Sequence, residues 1–361
     1  MSFSGARESG SPDVVVVGTG VVGLSCALEL ADRGLRVALL GRSQAGEASM
    51  AAAGLLAPSV EPLDGLAGTF AVLARDLYPD WLASLEEKWG ARVALSRDGI
   101  LELPGPHRAV RMSDGWLDAD ALAELEPALA GHAGATLYPL DGWVDNVALM
   151  NALTEAAQRH PTITWTPAFG VRLEVSVDDE PMIHDEHGVA HRAPEIILAA
   201  GAWTPGISGV GRRLPVEPVR GQMLAYPAAP LRHAVYARGA YLVPRGDHLL
   251  VGSTMERVGF DYSITDGAAD ALHAAAANAV PLLAEMKTIR RWAGLRPVTP
   301  DMLPVIGRDP ERPSVIYACG HSRNGILMAR ATALAVADII TEAASRYDLR
   351  PFSPRRFSKS G

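Results

Sequence analysis

The stretch that most restricts the fold lies close to the start of the chain. Val14-Val15-Val16-Val17 is a β-branched run without alternation, which suits a strand covered on both faces. Gly18-Thr19-Gly20-Val21-Val22-Gly23 follows it, and Val22, Cys26, Leu28 and Leu30 make Val21 to Arg33 a mainly apolar helix closed by Gly34. Leu35 to Leu40 then reads as a second strand, completing a βαβ unit of about 30 residues. In that context the glycines have separate tasks. Gly18 permits a tight turn, Gly20 lets a pyrophosphate approach the backbone, and Gly23 allows helix and strand to pack closely. The helix start at Val21 and Val22 offers amide donors and a positive dipole end to phosphate. A dinucleotide cofactor is therefore expected here.

The second half of that fingerprint is missing. An acid about 20 residues on, at the end of the second strand, should hydrogen-bond the adenosine ribose. This chain has Gly41-Arg42-Ser43 there. Loss of the carboxylate beside an arginine makes room for a ribose 2′-phosphate and points to NADP. An FAD site could instead hold its ribose through backbone groups or Ser43, so both cofactors stay open at this point.

Beyond the βαβ unit, Leu66 to Lys88, Ala119 to Ala130, Ala148 to Gln158 and Ile326 to Ala344 have helical patterns, while Ile100 to Pro104, Glu195 to Ala200 and Val315 to Cys319 read as strands. Gln222 to Ala225, Ala240 to Pro244 and Leu249 to Ser253, separated by Gly, Pro and Asp turns, suggest an antiparallel sheet. The expected class is α/β (α+β), a Rossmann-like dinucleotide domain of discontinuous pieces with a largely antiparallel-β domain inserted. A length of 361 residues accommodates two such domains.

Composition excludes several functions. The net charge of −8 lacks the electrostatic footprint of a nucleic-acid binder. Of 33 Lys+Arg only Lys88, Lys287 and Lys359 are lysine, and none follows a glycine, so a Walker-type phosphate loop is absent and lysine aldimine chemistry has few candidates. Two cysteines, Cys26 and Cys319, cannot form a four-thiolate site and suggest a reducing, cytoplasmic setting. No apolar run reaches the roughly 18 residues of a membrane span. The first thirteen residues read as a frayed start. His184, His187 and His191 look like metal ligands, but Asp185 to Gly188 is hairpin-turn chemistry that would scatter them over both faces, so no metal is expected. Cys319 beside the glycine-rich loop 320–325 is read as a buried strand cysteine.

Further motifs carry a resemblance. The small-residue run Gly46-Glu47-Ala48-Ser49-Met50-Ala51-Ala52-Ala53-Gly54-Leu55-Leu56-Ala57-Pro58 resembles the flavin-contacting loop of the D-amino-acid oxidase family. Arg291-Trp292-Ala293-Gly294-Leu295-Arg296-Pro297 resembles its carboxylate-binding strand, and Gly320-His321-Ser322-Arg323-Asn324-Gly325-Ile326-Leu327 its C-terminal flavin loop. Pro218 to Gln222, Tyr241 to Arg245 and Val251 to Met255 place the likeness nearest the glycine-oxidase group of the thiamine-biosynthesis type. The resemblance spans nearly the whole chain and is thinnest between Pro62 and Asp141.

The resemblance implies FAD, held by Gly18, Gly20, Val21, Val22, Gly23, Gly41, Arg42, Ser43, Ala48, Ser49, Ala53, Gly54, Leu55, Ala168 and the loop His321, Ser322, Arg323, Asn324, Gly325, Ile326, Leu327. It implies that Arg296 clamps a substrate carboxylate, that Tyr241 adds a hydroxyl to it, and that Met255, Arg323 and Glu61 line the site. A guanidinium suits this independently, since it presents two parallel donors to a planar anion. A nucleophile-elbow serine is absent, and His321 reads as a structural loop histidine. Two departures stand out: Gly41 in place of the acid, and Arg330 where an apolar residue or proline is usual. The implied domains are 1–80, 141–213 and 297–361 for FAD, and 81–140 and 214–296 for substrate. The implied activity is oxidation of a small amino acid by hydride transfer to flavin, with oxygen as electron acceptor and a homo-oligomer as one possible assembly. Rival readings are a dehydrogenase serving a quinone or partner subunit, an NADP-dependent reductase, and a flavin-binding subunit without turnover.

Overall fold

The computed structural model describes residues 11–105, 115–175, 180–210, 214–228 and 230–357. Residues 1–10 of the expected frayed start lie outside the described residues. The chain forms two compact units, Met1–Gln44 with Asn151–Glu217 and Pro297–Gly361, and Ala45–Met150 with Pro218–Arg296.

The first unit is built on a six-stranded sheet in the order Val305–Arg308, Val315–Cys319, Glu195–Leu198, Val14–Val17, Val37–Leu40, Ile163–Thr166. All neighbours are parallel except Val305–Arg308, which runs antiparallel to Val315–Cys319. The valine run is central and fully covered, as its lack of alternation requires. Helices Val21–Asp32 and Gly325–Ile340 pack on each other. Arg330, the departure noted above, is used in that packing. Its Nη1 donates to Glu29 Oε2 at 2.6 Å, and Glu29 Oε1 also accepts from Arg33 Nε at 2.8 Å, so two arginines share one largely buried acid.

The second unit carries an eight-stranded sheet in the order Arg290–Val298, Glu217–Tyr226, His248–Gly252, Ala240–Arg245, Ala234–Ala237, Ile100–Glu102, Gly134–Tyr138, Trp116–Asp118. It is mixed, not purely antiparallel, because Ala234–Ala237 and Ile100–Glu102 pair in parallel. Strand alternation divides its residues. Leu224, Leu242, Leu249 and Val251 pack with Ala269, Leu272 and Ala276 of the helix Asp266–Ala279. Met223, Ala225, Tyr241, Val243 and Leu250 share the other face with Ala53, Ala57, Val60 and Trp292.

Several boundaries differ from the sequence pattern. Residues 45–80 and 141–150 pack with the second unit, because Leu55–Leu56 and Leu95–Ser96 both pair with Gly142–Val144, and Ala53, Ala57 and Val60 enter its core. The stretch expected as one helix from Leu66 to Lys88 is two, Gly65–Asp76 and Tyr78–Trp89, with Pro79 in the first turn of the second. Pro127 stops the helix after Leu125, and the last helix ends at Ile340, just before Glu342 turns left-handed at φ 51°.

Candidate functional site

In the first unit, Gly18 has φ 116°, and a methyl there would strike the Ala199 carbonyl. A methyl on Gly23 would strike the Gly18 carbonyl. Both glycines are therefore required by this turn. Gly20 is the N-cap of Val21–Asp32, with no side-chain cap and no acid in the first turn, which leaves the dipole's positive end open to an anion. These residues fit a pyrophosphate.

The missing acid has a steric explanation. Gly41 has φ 157°, at the edge of the range closed to other residues, and a Cβ there would lie 2.8 Å from Thr19 Cγ2. Its carbonyl accepts from Trp165 Nε1 at 2.7 Å. Arg42 is engaged locally. Its Nη2 donates to Glu186 Oε1 at 3.2 Å and its guanidinium lies over the Phe169 ring at 4.2 Å, so the arginine that suggested a 2′-phosphate already has a carboxylate and an aromatic face. Ser43 follows it, and Ala168 is buried in the core with Val15, Val17 and Leu40.

The loop before the last helix is tightly constrained. Ser322 adopts φ 52°, unusual for a residue with a side chain, and its amide donates to the Pro297 carbonyl at 2.9 Å. His321 is buried with Nε2 3.0 Å from Thr332 Oγ1, and burial pulls its pKa down to about 3, so it is neutral and locked in the fold. Asn324 caps Gly325–Ile340 without a side-chain hydrogen bond and no acid follows in the first turn, where Ile326 and Leu327 are buried. Arg323 is exposed. Cys319 is buried in its strand, and burial pushes its thiol up to about 12, as it does Cys26.

In the second unit the small-residue loop is pinned through its carbonyls. Asn146 Nδ2 donates to Ser49 O at 3.0 Å and to Met50 O at 3.3 Å, and Trp292 Nε1 to Ala51 O at 3.0 Å. Arg245 Nη2 donates to Ala53 O at 2.5 Å and Val144 O at 2.7 Å, while the Val144 amide donates to Gly54 O at 2.9 Å. Burial lowers the Arg245 pKa to about 10, and the guanidinium stacks on Trp143 at 4.2 Å. Side chains at Gly54 or Gly294 would collide with Val144 O and with Ala51 respectively, and Ala48 also lies against Gly294. Leu55 continues into the short strand paired with Trp143. Asn146, Trp292 and Arg245 thus shape the loop; Trp292 and Arg245 lie within motifs that carry the resemblance, and Asn146 lies in none.

Arg296 lies on the edge strand of the eight-stranded sheet, half-buried, and among the described residues it has no carboxylate partner. Its Nη1 donates to Thr254 O at 3.1 Å and its Nη2 to Ser253 Oγ at 2.5 Å. It extends over Gly221, where any side chain would collide with the guanidinium. Gly221 and Met223 share one face, and Met223, Gly252 and Tyr241 form one row across three strands. A side chain on Gly252 would strike Met223 Sδ. The two glycines therefore leave room on this sheet face for other side chains, the Arg296 guanidinium over Gly221 and Met223 over Gly252. The Tyr241 hydroxyl donates only to Met223 Sδ at 3.4 Å, a weak acceptor easily exchanged. Met255 lies just beyond, 55% exposed. Glu61 sits on a loop held by buried Asp141, which accepts from the amides of Ser59 at 2.9 Å and Val60 at 3.0 Å and pairs with Arg75 at 3.0 Å.

The histidines with metal-like spacing separate. His191 meets Asp185 at 3.0 Å, His184 meets Glu174 at 3.1 Å, and His187 is exposed. Among the described residues no group of three or more His, Cys, Asp or Glu could hold a metal, and no helix is long and apolar enough to cross a membrane.

Comparison with known proteins agrees with this geometry. Residues 13–339 match the DAO family, described as FAD dependent oxidoreductase. The chain is 34% identical over 372 residues to a glycine oxidase of Geobacillus kaustophilus, covering 95% of this chain and 97% of that protein. It is 33% identical over 374 residues to the bifunctional protein ThiO/ThiG of Nostoc sp., covering 96% of this chain but 55% of that protein, so it spans about half the length of that relative. The crystal structure of the Geobacillus kaustophilus glycine oxidase superposes with a TM-score of 0.88 at 32% identity, covering 95% of this chain and 98% of the other. With the glycine turn in place and family similarity extending from the first strand to the last helix, the chain belongs to the DAO family of FAD-dependent oxidoreductases.

Proposed function

We propose that the protein catalyses the FAD-dependent oxidative deamination of a small amino acid, such as glycine, sarcosine or a small D-amino acid. Water and oxygen are consumed, and an oxo acid, ammonia (or methylamine from sarcosine) and hydrogen peroxide are released. The observation that carries this is Arg296, a half-buried guanidinium without a carboxylate partner among the described residues, lying over Gly221, whose missing side chain makes room for it. The more deeply buried guanidiniums are differently placed: Arg220 and Arg75 are balanced by acids, and Arg245 Nη2 donates to the main-chain carbonyls of Ala53 and Val144. Arg296 is free to take a carboxylate through charge-assisted bonds, and the Tyr241 hydroxyl would add a donor to the same anion. The similarity to glycine oxidases supports a small substrate.

FAD, when bound, supplies the hydride acceptor and returns the electron pair to oxygen. The chain's residues supply placement. Gly18, Gly20 and Gly23 with the amides of Val21 and Val22 would take the pyrophosphate, and the backbone and hydroxyl at Gly41, Arg42 and Ser43 would take the ribose. Ala48, Ser49, Ala53, Gly54 and Leu55 would admit the flavin ring by their small size, and the uncapped helix end at Ser322 to Leu327 would stabilise negative charge on it. Met255, Glu61 and Arg323 are proposed as substrate-site residues, and Ala168 as a cofactor neighbour. Holding the carboxylate fixes the Cα–H relative to the acceptor, so orientation is the protein's main contribution. A cytoplasmic location accords with two buried, unpaired cysteines.

A panel of glycine, sarcosine and D- and L-amino acids, assayed for peroxide and ammonia with purified yellow protein, tests the proposal. Peroxide formation with a small amino acid supports it. Substrate-dependent dye reduction without peroxide would assign a dehydrogenase, and colourless protein that releases no flavin would overturn the proposal.

A further inference from the structure

We propose that Ser253 is a third donor to the substrate carboxylate, acting with Arg296 and Tyr241. The inference rests on the reading of Arg296 as the carboxylate clamp and adds a residue to it. Arg296 Nη2 donates to Ser253 Oγ at 2.5 Å. A hydroxyl that accepts from a guanidinium still has its own proton to give, and among the described residues the Ser253 proton has no acceptor. Accepting from a cation polarises the O–H and strengthens it as a donor. An anion arriving at Arg296 therefore meets a hydroxyl already at the guanidinium and ready to turn its proton outward.

The hydroxyl is held there by a polar network. Thr254, the next residue, gives its carbonyl to Arg296 Nη1 at 3.1 Å, and its hydroxyl accepts from the Gln222 amide at 2.9 Å. That hydroxyl in turn donates to Glu256 Oε1 at 2.5 Å, which also accepts from Gln222 Nε2 at 2.9 Å. Arg220 Nη2 donates to Glu256 Oε2 at 2.6 Å, and its Nη1 to Asp261 Oδ2 at 2.7 Å. Burial raises the Glu256 pKa, but its bonds to Arg220, Thr254 and Gln222 outweigh that and hold it below the usual carboxylate range. Glu256 is thus a fixed anion that anchors Thr254, and through the chain it fixes Ser253. Gly221 completes the arrangement, since a side chain there would push Arg296 away from both residues.

The test uses the flavin-loaded protein and two readouts: steady-state kinetics with the small amino acid that is turned over, and the dissociation constant of acetate, a carboxylate without an amine, from its perturbation of the flavin spectrum. Ser253→Ala and Ser253→Cys should each raise both KM and the acetate Kd about tenfold, the scale of one lost hydrogen bond to a charged group, with kcat within about twofold. Ser253→Thr should restore binding. FAD content and Tm matching the parent establish that a variant is folded, and Ser253→Cys, nearly isosteric, serves if the alanine variant is not. If Arg296→Ala abolishes acetate binding while both Ser253 variants bind it as the parent does, the donor assignment is overturned and the clamp stands. If Arg296→Ala also leaves acetate binding unchanged, the clamp itself is wrong and the Ser253 proposal falls with it.

Discussion

Arg296 and Gly41 are the two residues on which the functional reading turns, one by what it lacks and the other by what it forbids. Arg296 lacks a protein acid, so its truncation should be felt by substrate more than by fold. Arg296→Ala is expected to raise KM for the carboxylate substrate by about 10- to 100-fold, from about 1.5–3 kcal/mol of charge-assisted bonding, while Tm changes little. A thermal melt beside the kinetics checks both halves. Gly41 forbids the acid usual at the end of the second strand. Restoring that acid with Gly41→Glu should not tighten FAD binding. It should lower stability by about 1–3 kcal/mol, because the backbone at φ 157° and the neighbouring Thr19 both resist a side chain. FAD titration by fluorescence quenching, together with a melt, would show it. The sequence showed that an acid was absent and an arginine present. It could not show that Arg42 is occupied by Glu186 and Phe169, because those partners come from a distant hairpin and the turn before it.

At the level of elements, the strand–glycine–helix turn was legible because its geometry is local: strand, glycines and helix lie within one short run. The second unit was legible only in outline. The placing of Arg296 and Tyr241 depends on sheet register, which puts Gly252 between Met223 and Tyr241 and sets Arg296 over Gly221. Neither glycine carries a sequence signal of that purpose. Gly221→Ala tests the register directly. The methyl collides with the Arg296 guanidinium, so KM should rise at least tenfold with Arg296 itself unaltered, and Gly221→Ala combined with Arg296→Ala should be no worse than Arg296→Ala alone. Additive effects would mean that Gly221 acts through something other than Arg296. The loop carrying Ala53 and Gly54 was found by its small residues. Its supports Asn146 and Arg245 come from sequence positions 97 and 192 residues away and emerge only in three dimensions.

For the molecule as a whole, stability is tied to pH through the locked histidine of the last loop. His321 has a folded pKa of about 3 against an ordinary 6.5, so below pH 6.5 the unfolded chain binds a proton that the folded chain refuses. Its contribution is fully present above pH 6.5 and is lost as pH falls towards 3, at up to about 1.4 kcal/mol per pH unit. Denaturant unfolding at pH 7 and pH 5 should show the decline, and His321→Asn should flatten it. The assembly of each unit from separated segments follows from the same chain returning to both sheets, a discontinuous topology that the sequence patterns also suggested, with 45–80 and 141–150 grouped differently. The central claim, that this FAD-dependent chain oxidises a small amino acid clamped by Arg296, is tested most directly by anaerobic titration of the purified yellow protein, followed by admission of air. A small amino acid should bleach the flavin, and oxygen should restore the colour with one equivalent of peroxide. The Arg296→Ala variant should require far more substrate for the same bleaching. A flavin that no small amino acid reduces, or one reduced equally well in the variant, would contradict the account.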